Sequence, residues 1–267
     1  MRHLLNIFIA ACLAQPVAAH EFWISPVKYI VPPGEAISAD FRVGEKMSGS
    51  AYAFIDFRSE RFDLVTQDGV VEVSSRMGDR PAINMLAPTG GLTAIVHETS
   101  DNTLTYDGME RFNNFTEHKD FAWAQAEHAA RGLPDDGFVE TYRRYAKALV
   151  AVGDGVGADQ ASGLRTEFVA LANPYTDDVS AGLPVRLLFE GSPRAEAQVE
   201  LFQKAPDGEV SVTFHRTDEE GRAVLPVKPG YEYLADAVML FDTGNDDIEA
   251  GAVWHSIWAA LTFMVPE

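Results

Sequence analysis

Histidine is the residue type in this sequence best suited to holding a metal ion, because neutral imidazole is the commonest metal ligand in proteins. Six histidines follow residue 19, and they are His20, His97, His118, His128, His215 and His255. His20 comes directly after Val17-Ala18-Ala19, whose small residues are typical of a signal-peptide cleavage site. Cleavage after Ala19 leaves an N-terminal histidine, whose α-amine and ring Nδ1 can close a chelate ring on one transition-metal ion. The sequence therefore predicts that His20 forms half of a metal site.

His97, His118 and His128 are the candidates for the other half. His97 ends an alternating apolar segment and precedes a polar loop, a common position for functional residues. In one continuous helix His118 and His128 would lie about 15 Å apart along the axis, too far for one ion bound by each ligand at about 2 Å. They can share an ion only where the chain bends between them. His128 also lies on the helical face of Phe121, so packing in the core is an alternative role for it.

Other chemistry finds little support in the sequence. It contains no glycine-rich phosphate loop, CxxC pair, HExxH motif, GxSxG elbow or kinase motif set, which argues against hydrolase and nucleotide-dependent functions. The acidic residues of 242–249 lack the spacing of a calcium loop. His215 is expected to be solvated on the polar face of a strand, and His255 to be a core residue.

Residues 1–19 are predicted to be a cleaved signal peptide that directs the chain to the periplasm. Their apolar run, residues 4–13, is too short to span a bilayer, and no transmembrane helix is predicted in the mature chain. The alternative is a lipoprotein signal acylated at Cys12, the single cysteine of the sequence. The net charge of −19 argues against nucleic acid as a partner and is compatible with attracting cations or with plain solubility.

The predicted fold is mainly β, in three segments. Residues 20–108 show short alternating runs separated by turns, which predict an N-terminal antiparallel β-sandwich. Residues 109–157 are predicted to be a helical insertion and linker, because Phe112, Phe115, Lys119 and Trp123, and then Phe138, Tyr142, Tyr145 and Leu149, recur every three or four positions. Residues 158–267 contain seven candidate strands, typical of an immunoglobulin-like or transthyretin-like sandwich.

Several stretches resemble a family of exported bacterial proteins of unknown function, often encoded near nickel or cobalt uptake systems. The matching stretches are Ala19-His20-Glu21-Phe22-Trp23-Ile24-Ser25-Pro26, Pro33-Gly34-Glu35, Arg42-Val43-Gly44, residues 141–149, Asn173-Pro174-Tyr175, Arg216-Thr217-Asp218 with Gly221-Arg222-Ala223, and residues 254–263. The resemblance implies a β-rich periplasmic protein that binds or delivers a divalent transition metal. It places His20 in the family's start motif, and His97, His118 and His128 at positions where related sequences also carry histidine. For His255 it implies no role.

The leading functional prediction is a periplasmic accessory of metal uptake that binds Ni²⁺, Co²⁺ or Cu²⁺ through His20 with some of His97, His118 and His128. A membrane metal transporter is the partner that this prediction implies. Two alternatives stay open. The first is a structural or ligand-binding surface module built from β-sandwiches, and the second is a copper oxygenase with an N-terminal histidine brace.

Overall fold

The computed structural model describes residues 20–267, so the predicted signal peptide and Cys12 lie outside the described residues. Within this range the chain forms 18 β-strands and two α-helices. The strands are β1 Glu21–Pro26, β2 Ile30–Val31, β3 Ala36–Glu45, β4 Ser48–Tyr52, β5 Ser59–Thr66, β6 Gly69–Glu72, β7 Ile83–Leu86, β8 Gly91–Thr99, β9 Asn102–Thr105, β10 Val139–Val152, β11 Thr166–Ala170, β12 Leu183–Phe189, β13 Ser192–Pro193, β14 Gln198–Lys204, β15 Val210–Arg216, β16 Arg222–Leu225, β17 Glu232–Asp242 and β18 Trp254–Met264. The helices are α1 Met109–His118 and α2 Trp123–Ala130.

The strands form three sheets. The N-terminal sheet joins β1, β3, β4 and β7, and the C-terminal sheet joins β11, β12, β13 and β16. Between them lies a central sheet of ten strands in the order β15-β14-β17-β18-β10-β8-β5-β6, with β2 and β9 also paired to β10. These packed sheets confirm the mainly β class and the sandwich architecture that the sequence predicts.

The central sheet is buried on both faces, and side chains of β10 alternate between them. Ala146, Ala148 and Val150 join the core that also contains residues of the N-terminal sheet. Tyr145 and Leu149 point the other way, into the core shared with the C-terminal sheet. Strands from all three predicted segments therefore pair within one sheet.

The helix predicted over residues 138–149 is wrong, because this segment is the 14-residue strand β10. Its second half, Tyr145–Val152, is buried at every position, so it shows no alternation. A strand covered on both faces reads as a continuous apolar run, which periodicity alone does not distinguish from a buried helix. Its first half pairs in parallel with β18 on one side and antiparallel with β9 on the other.

The first helical stripe is confirmed, but as two short helices with a bend between them. Phe112, Phe115 and Lys119 are buried, whereas Trp123 is half exposed at the start of α2. Asp120, between the helices, has a positive φ of 67°, which ends α1 and redirects the chain. No helix among residues 20–267 is long and apolar enough to cross a membrane.

Replacing Leu149 by alanine is expected to destabilise the protein, because Leu149 is fully buried between the central and C-terminal sheets. A loss of about 2–5 kcal/mol in the free energy of unfolding is expected from the cavity left behind. Leu86→Ala is the matched control, since Leu86 is 59% exposed on β7, and its cost should stay below about 1 kcal/mol. Equal losses in urea unfolding would contradict this assignment of the core.

Candidate functional site

The histidines do not converge, and His128 is committed to the core. It is 1% exposed, and its Nδ1 lies 3.1 Å from Nε1 of Trp254, which can only donate. The proton of His128 is therefore on Nε2, which donates to the backbone oxygen of Pro134 at 3.0 Å. Both ring nitrogens of His128 are therefore hydrogen-bonded within the protein. His128 packs in the core, which is the alternative role that the sequence allowed for it.

His97 is buried among aromatic rings. It is 2% exposed, and its ring lies between 4.1 and 5.5 Å from the rings of Phe22, Phe41 and Phe62. Its Nε2 lies 2.9 Å from Oγ of Ser59, and burial lowers the pKa of the ring to about 3. His97 is therefore neutral at physiological pH.

His118 and His20 lie nearer the surface. The ring of His118 is about half exposed, and its Nε2 lies 3.1 Å from Oε2 of Glu200. His20 is exposed, and its backbone oxygen accepts a hydrogen bond of 2.7 Å from Arg144. No group of three histidine, cysteine, aspartate or glutamate side chains within residues 20–267 is arranged to hold a metal ion. Metal binding by these four histidines stays a prediction.

A buried cluster of charges lies at the end of α1. The ammonium of Lys119 lies 2.8 Å from Glu200 on β14, 3.0 Å from Asp236 on β17 and 3.8 Å from Glu21 on β1. All four side chains are at most 5% exposed. This Lys119 cluster therefore ties the first strand, the helical segment and the central sheet to one point.

In the Lys119 cluster one ammonium group faces three carboxyl groups. The pKa values of the three carboxyl groups are not shifted in the same direction. Burial raises the pKa of Glu21 to about 7, although the charge of Lys119 opposes this. Burial also raises the pKa of Asp236. For Glu200, hydrogen bonding to His118 and the charge of Lys119 outweigh burial and lower the pKa. Glu21 is thus the member that takes up a proton near neutral pH.

Beside this cluster lies a cavity of about 670 Å³, within the usual range of ligand sites. Its walls come from the hairpin of β3 and β4, from α1, and from the segments of β9, β10 and β18 that face them. Aromatic side chains form much of the wall, namely Tyr52, Tyr106, Phe115, Tyr142 and Trp258, and His20 lines the cavity at the start of β1.

In the hairpin wall of the cavity, the backbones of β3 and β4 approach each other closely. Gly44 and Gly49 face each other across β3 and β4, and a Cβ on Gly44 would lie 2.0 Å from the backbone oxygen of Ser48. Lys46 and Met47 at the turn have φ of 50° and 55°, as a tight two-residue hairpin turn requires. Glycine at position 44 is therefore needed for this wall.

A chain of hydrogen bonds orders the inner wall. Nε1 of Trp258 donates to Oγ of Ser256 at 2.9 Å, and Ser256 donates to Glu140. The hydroxyl of Tyr106 donates to the other carboxyl oxygen of Glu140 at 2.6 Å. Burial raises the pKa of Glu140 despite these hydrogen bonds, which favours its protonated form. The Trp258 ring is held in place and lies 5.1 Å from the guanidinium of Arg144.

Two arginines line the cavity, and none of the ion pairs within residues 20–267 includes either of them. Arg144 donates to the backbone oxygen of His20 and lies 5.1 Å from the ring of Tyr142, while Arg111 is exposed on α1. Burial lowers the pKa of the Arg144 guanidinium, although the charges of Asp236, Glu21 and Glu140 oppose this. In a chain of net charge −19, the lining of this cavity includes two arginines beside the carboxyl groups of Glu45 and Glu140.

A second cavity of about 270 Å³ adjoins the first and shares Val43, Tyr52, Tyr142 and Arg144 with it. His97, Phe22 and Phe41 line the second cavity. Arg144 and Tyr142 therefore stand between the two spaces.

Sequence reasoning missed the Lys119 cluster and the arginines of the cavity. The available signal was a charged residue at a buried position of an otherwise apolar strand. Glu200 stands between Val199 and Leu201, and Asp236 stands between two alanines, in strands whose neighbours are buried. Such a position requires a partner, because an unpaired buried charge is costly.

Glu21→Gln is expected to change how stability depends on pH. The folded pKa of about 7 exceeds the ordinary value of 4.5, so the native state binds a proton that the unfolded chain releases, and stability falls as pH rises through this window. As pH rises from about 4.5 to about 8, the free energy of unfolding of the variant should increase by roughly 2–3 kcal/mol relative to that of wild type, because each pKa unit corresponds to about 1.4 kcal/mol. Urea unfolding across this range measures the gain.

Glu72→Gln, at an exposed position of β6, is the matched control and should differ from wild type by less than about 0.5 kcal/mol at every pH. A difference between Glu21→Gln and wild type that stays constant across the range would contradict the assignment of the titration to Glu21.

Comparison with solved structures finds low similarity. The chain matches the tetra-tandem repeat in the extending region of a large adhesion protein at 9% identity and a TM-score of 0.22, over 92% of this chain and 49% of that one, so it spans about half of that structure's length. It matches the D0-D1 domain of intimin at 12% identity and a TM-score of 0.21, over 91% of this chain and 97% of that one. At these TM-scores neither similarity bears on function. The comparison with curated proteins finds no match.

At the level of sequence families, residues 17–240 match a family described as a domain of unknown function, DUF4198. The description contains no reference to nickel or cobalt, so that part of the resemblance stays a prediction. Because the match covers well over half of the chain, the protein belongs to the DUF4198 family.

Proposed function

We propose that this protein is a binding module for a small carboxylate-bearing molecule with an apolar or aromatic body, held in the 670 Å³ cavity. The observation that carries the proposal is the pair Arg111 and Arg144, which line an aromatic-walled cavity without a carboxylate partner among residues 20–267. Guanidinium groups bind carboxylates through two parallel hydrogen bonds, so they are suited to this ligand.

The hydrogen bonding of Glu140 and Arg144 supports an anion beside Arg144. Of the two carboxyl groups in the lining, Glu140 accepts hydrogen bonds from Tyr106 and Ser256 and burial raises its pKa, whereas Glu45 lies on the hairpin. Arg144 keeps donors that its bond to His20 does not use, since a guanidinium has five N–H groups. A ligand carboxylate at this point gives Arg144 the direct ion pair that it lacks among residues 20–267.

The aromatic walls support an apolar body on the ligand. Phe115 and Trp258 are almost fully buried, and Tyr52 and Tyr142 are partly exposed at the boundary with the second cavity. Flat apolar groups pack against such rings with favourable free energy beyond the area that they bury. A ligand longer than one ring can extend past Tyr142 toward the smaller cavity.

Arg144→Met is expected to weaken carboxylate binding. Loss of charged hydrogen bonds costs about 1.5–3 kcal/mol, which corresponds to roughly a tenfold to hundredfold weaker affinity. The probes are benzoate and hexanoate, with benzamide as the uncharged analogue of benzoate, measured by calorimetry and by thermal shift. Benzoate or hexanoate should bind wild type, and benzamide should not.

Arg76→Met is the matched control, because the Arg76 side chain is 91% exposed away from this cavity, and it should leave affinity unchanged. Three outcomes would contradict the proposal, namely equal binding of benzoate and benzamide, equal binding by Arg144→Met and wild type, or no binding of either carboxylate.

A divalent transition metal is the second candidate, on the observation that the exposed His20 and the carboxylate of Glu45 line the same cavity. This candidate includes export to the periplasm with cleavage after Ala19, and a role as accessory of a metal transporter. The α-amine and ring of His20 supply two nitrogen ligands, and Glu45 is an oxygen ligand in the same space. The described side chains lack a three-membered ligand group, which makes the free amine essential here.

The metal candidate predicts stabilisation that depends on the N-terminus. Protein that begins at His20 should show a thermal shift with Ni²⁺, Co²⁺ or Cu²⁺, worth about 2.7 kcal/mol when the ion is at 100 times its dissociation constant. Protein with one additional residue before His20 should lose this shift. Equal shifts in the two proteins, or none in either, would exclude the N-terminal site.

A further inference from the structure

A second buried lysine lies on the opposite face of the central sheet, away from both cavities. Lys147 of β10 is 1% exposed and stands between Tyr145 and Leu149, which belong to the core shared with the C-terminal sheet. Its Nζ lies 3.2 Å from each carboxyl oxygen of Asp159 and 3.3 Å from Oε2 of Glu167 on β11. Both carboxylate side chains are 2% exposed.

We infer that Lys147 and Asp159 form an intramolecular amide bond after folding, with Glu167 as the group that transfers the proton. The bond would join β10 to the segment that leads into the C-terminal sheet. It is a covalent modification of this chain by itself, and it is independent of any ligand in the cavity.

The approach of the two reacting groups favours this bond. Nζ lies 3.2 Å from both oxygens of Asp159 and donates a hydrogen bond to each, so the two groups are held together as a bidentate ion pair. Reacting atoms held about 3–3.5 Å apart in a fixed orientation gain a large rate advantage over free groups in water. Lys147 and Asp159 are kept in contact by a packed core on one side and a hydrogen-bonded loop on the other, so only a small rotation of the carboxyl group is needed for Nζ to reach Cγ.

The surroundings of Asp159 activate its carbonyl. The backbone N–H of Ala170 donates to Oδ2 at 2.8 Å, which polarises that C–O bond and stabilises negative charge on the oxygen during attack. Oδ1 accepts from the adjacent N–H of Gln160 at 2.9 Å. Burial raises the pKa of Asp159, which favours the neutral acid that an amine can attack. Oδ2 therefore becomes the amide oxygen, and Oδ1 is the oxygen that leaves.

Glu167 has several hydrogen-bond donors besides Lys147. Its two oxygens accept hydrogen bonds from the N–H and hydroxyl of Ser162 and from the N–H of Gly163, at 2.7 to 3.0 Å. A carboxylate stabilised in this way can accept a proton from Nζ and return it to the leaving oxygen. Because these donors belong to the loop, Glu167 keeps their hydrogen bonds after the lysine has lost its charge.

The reaction balances without any other reagent. Proton transfer from the ammonium to Asp159 gives a neutral amine and a neutral acid. The lone pair of Nζ attacks Cγ, one N–H proton passes to Glu167, and Oδ1 departs as water with that proton. One C–N bond forms, one C–O bond breaks, and one water is released. The product replaces a buried ion pair by a neutral amide, which removes the desolvation penalty of both charges.

Lys119 provides an internal comparison, because it also contacts buried carboxyl groups. It contacts each of Asp236 and Glu200 through one oxygen, and the charges of Asp236, Glu200 and Glu21 raise its pKa despite burial. Its ammonium also lies 4.9 Å from the ring of Trp258. Lys119 is held as a cation and is expected to stay unlinked.

Tryptic digestion of the denatured wild-type chain tests the bond. Trypsin cuts after Arg144, Lys147 and Arg165 in an unlinked chain, but an acylated Lys147 is not cut. The linked chain should give the peptide of residues 145–165, lighter than its sequence mass by one water, with fragment ions missing between residues 147 and 159. The bond after Lys119 should be cut in the same digest. Complete cleavage after Lys147 in wild type would overturn the proposal.

Three variants separate the covalent bond from a purely structural ion pair. Asp159→Asn should give the same linked peptide mass as wild type, because its amide releases ammonia in place of water. Glu167→Gln should leave most of the chain unlinked, and linkage at the wild-type level would overturn the role of Glu167. Lys204→Met, at a partly exposed lysine paired with Glu232, is the control that should retain the linked peptide, and Lys147→Met should lose it.

Discussion

The structure depends on the parallel pairing of β10 with β18 at the middle of the central sheet. Residues 140–148 of β10 pair in register with residues 254–262 of β18, although more than a hundred residues separate the two strands. Because successive side chains point to opposite faces, this one pairing determines which groups face the cavity and which face the C-terminal sheet. Arg144 lies on the first face, and Lys147 lies on the second.

Charge is distributed unevenly across these faces. The chain has 40 acidic residues and only 21 lysines and arginines, yet several of its few cations are buried or line cavities. Lys119 is surrounded by three carboxyl groups, and Lys147 by two. Arg144 is different, since its closest partners are aromatic rings and a backbone oxygen. This contrast separates cations that have buried carboxyl partners from a cation that is available to a ligand.

The sequence predicted the β class, the sandwich architecture and the helical stripe from Phe112 to Lys119, because short alternating runs and a strong apolar period are local signals. It mistook β10 for a helix, because Ala146 to Val152 are covered on both faces and lose the alternation that marks a strand. Histidine spacing pointed to metal ligation, but nothing local in the sequence could reveal that His128 accepts from Trp254 or that His97 is enclosed by phenylalanines. Those partners are far apart in sequence, so only the tertiary fold brings them together.

A crystal structure of the protein with benzoate would show whether the cavity next to Arg144 binds a carboxylate. We expect benzoate between the β3–β4 hairpin and α1, with its carboxylate within hydrogen-bond distance of Arg144 and its ring against Trp258 or Tyr142. Benzoate bound elsewhere, or bound in this cavity with its carboxylate turned away from both Arg144 and Arg111, would rule out a carboxylate site at these arginines.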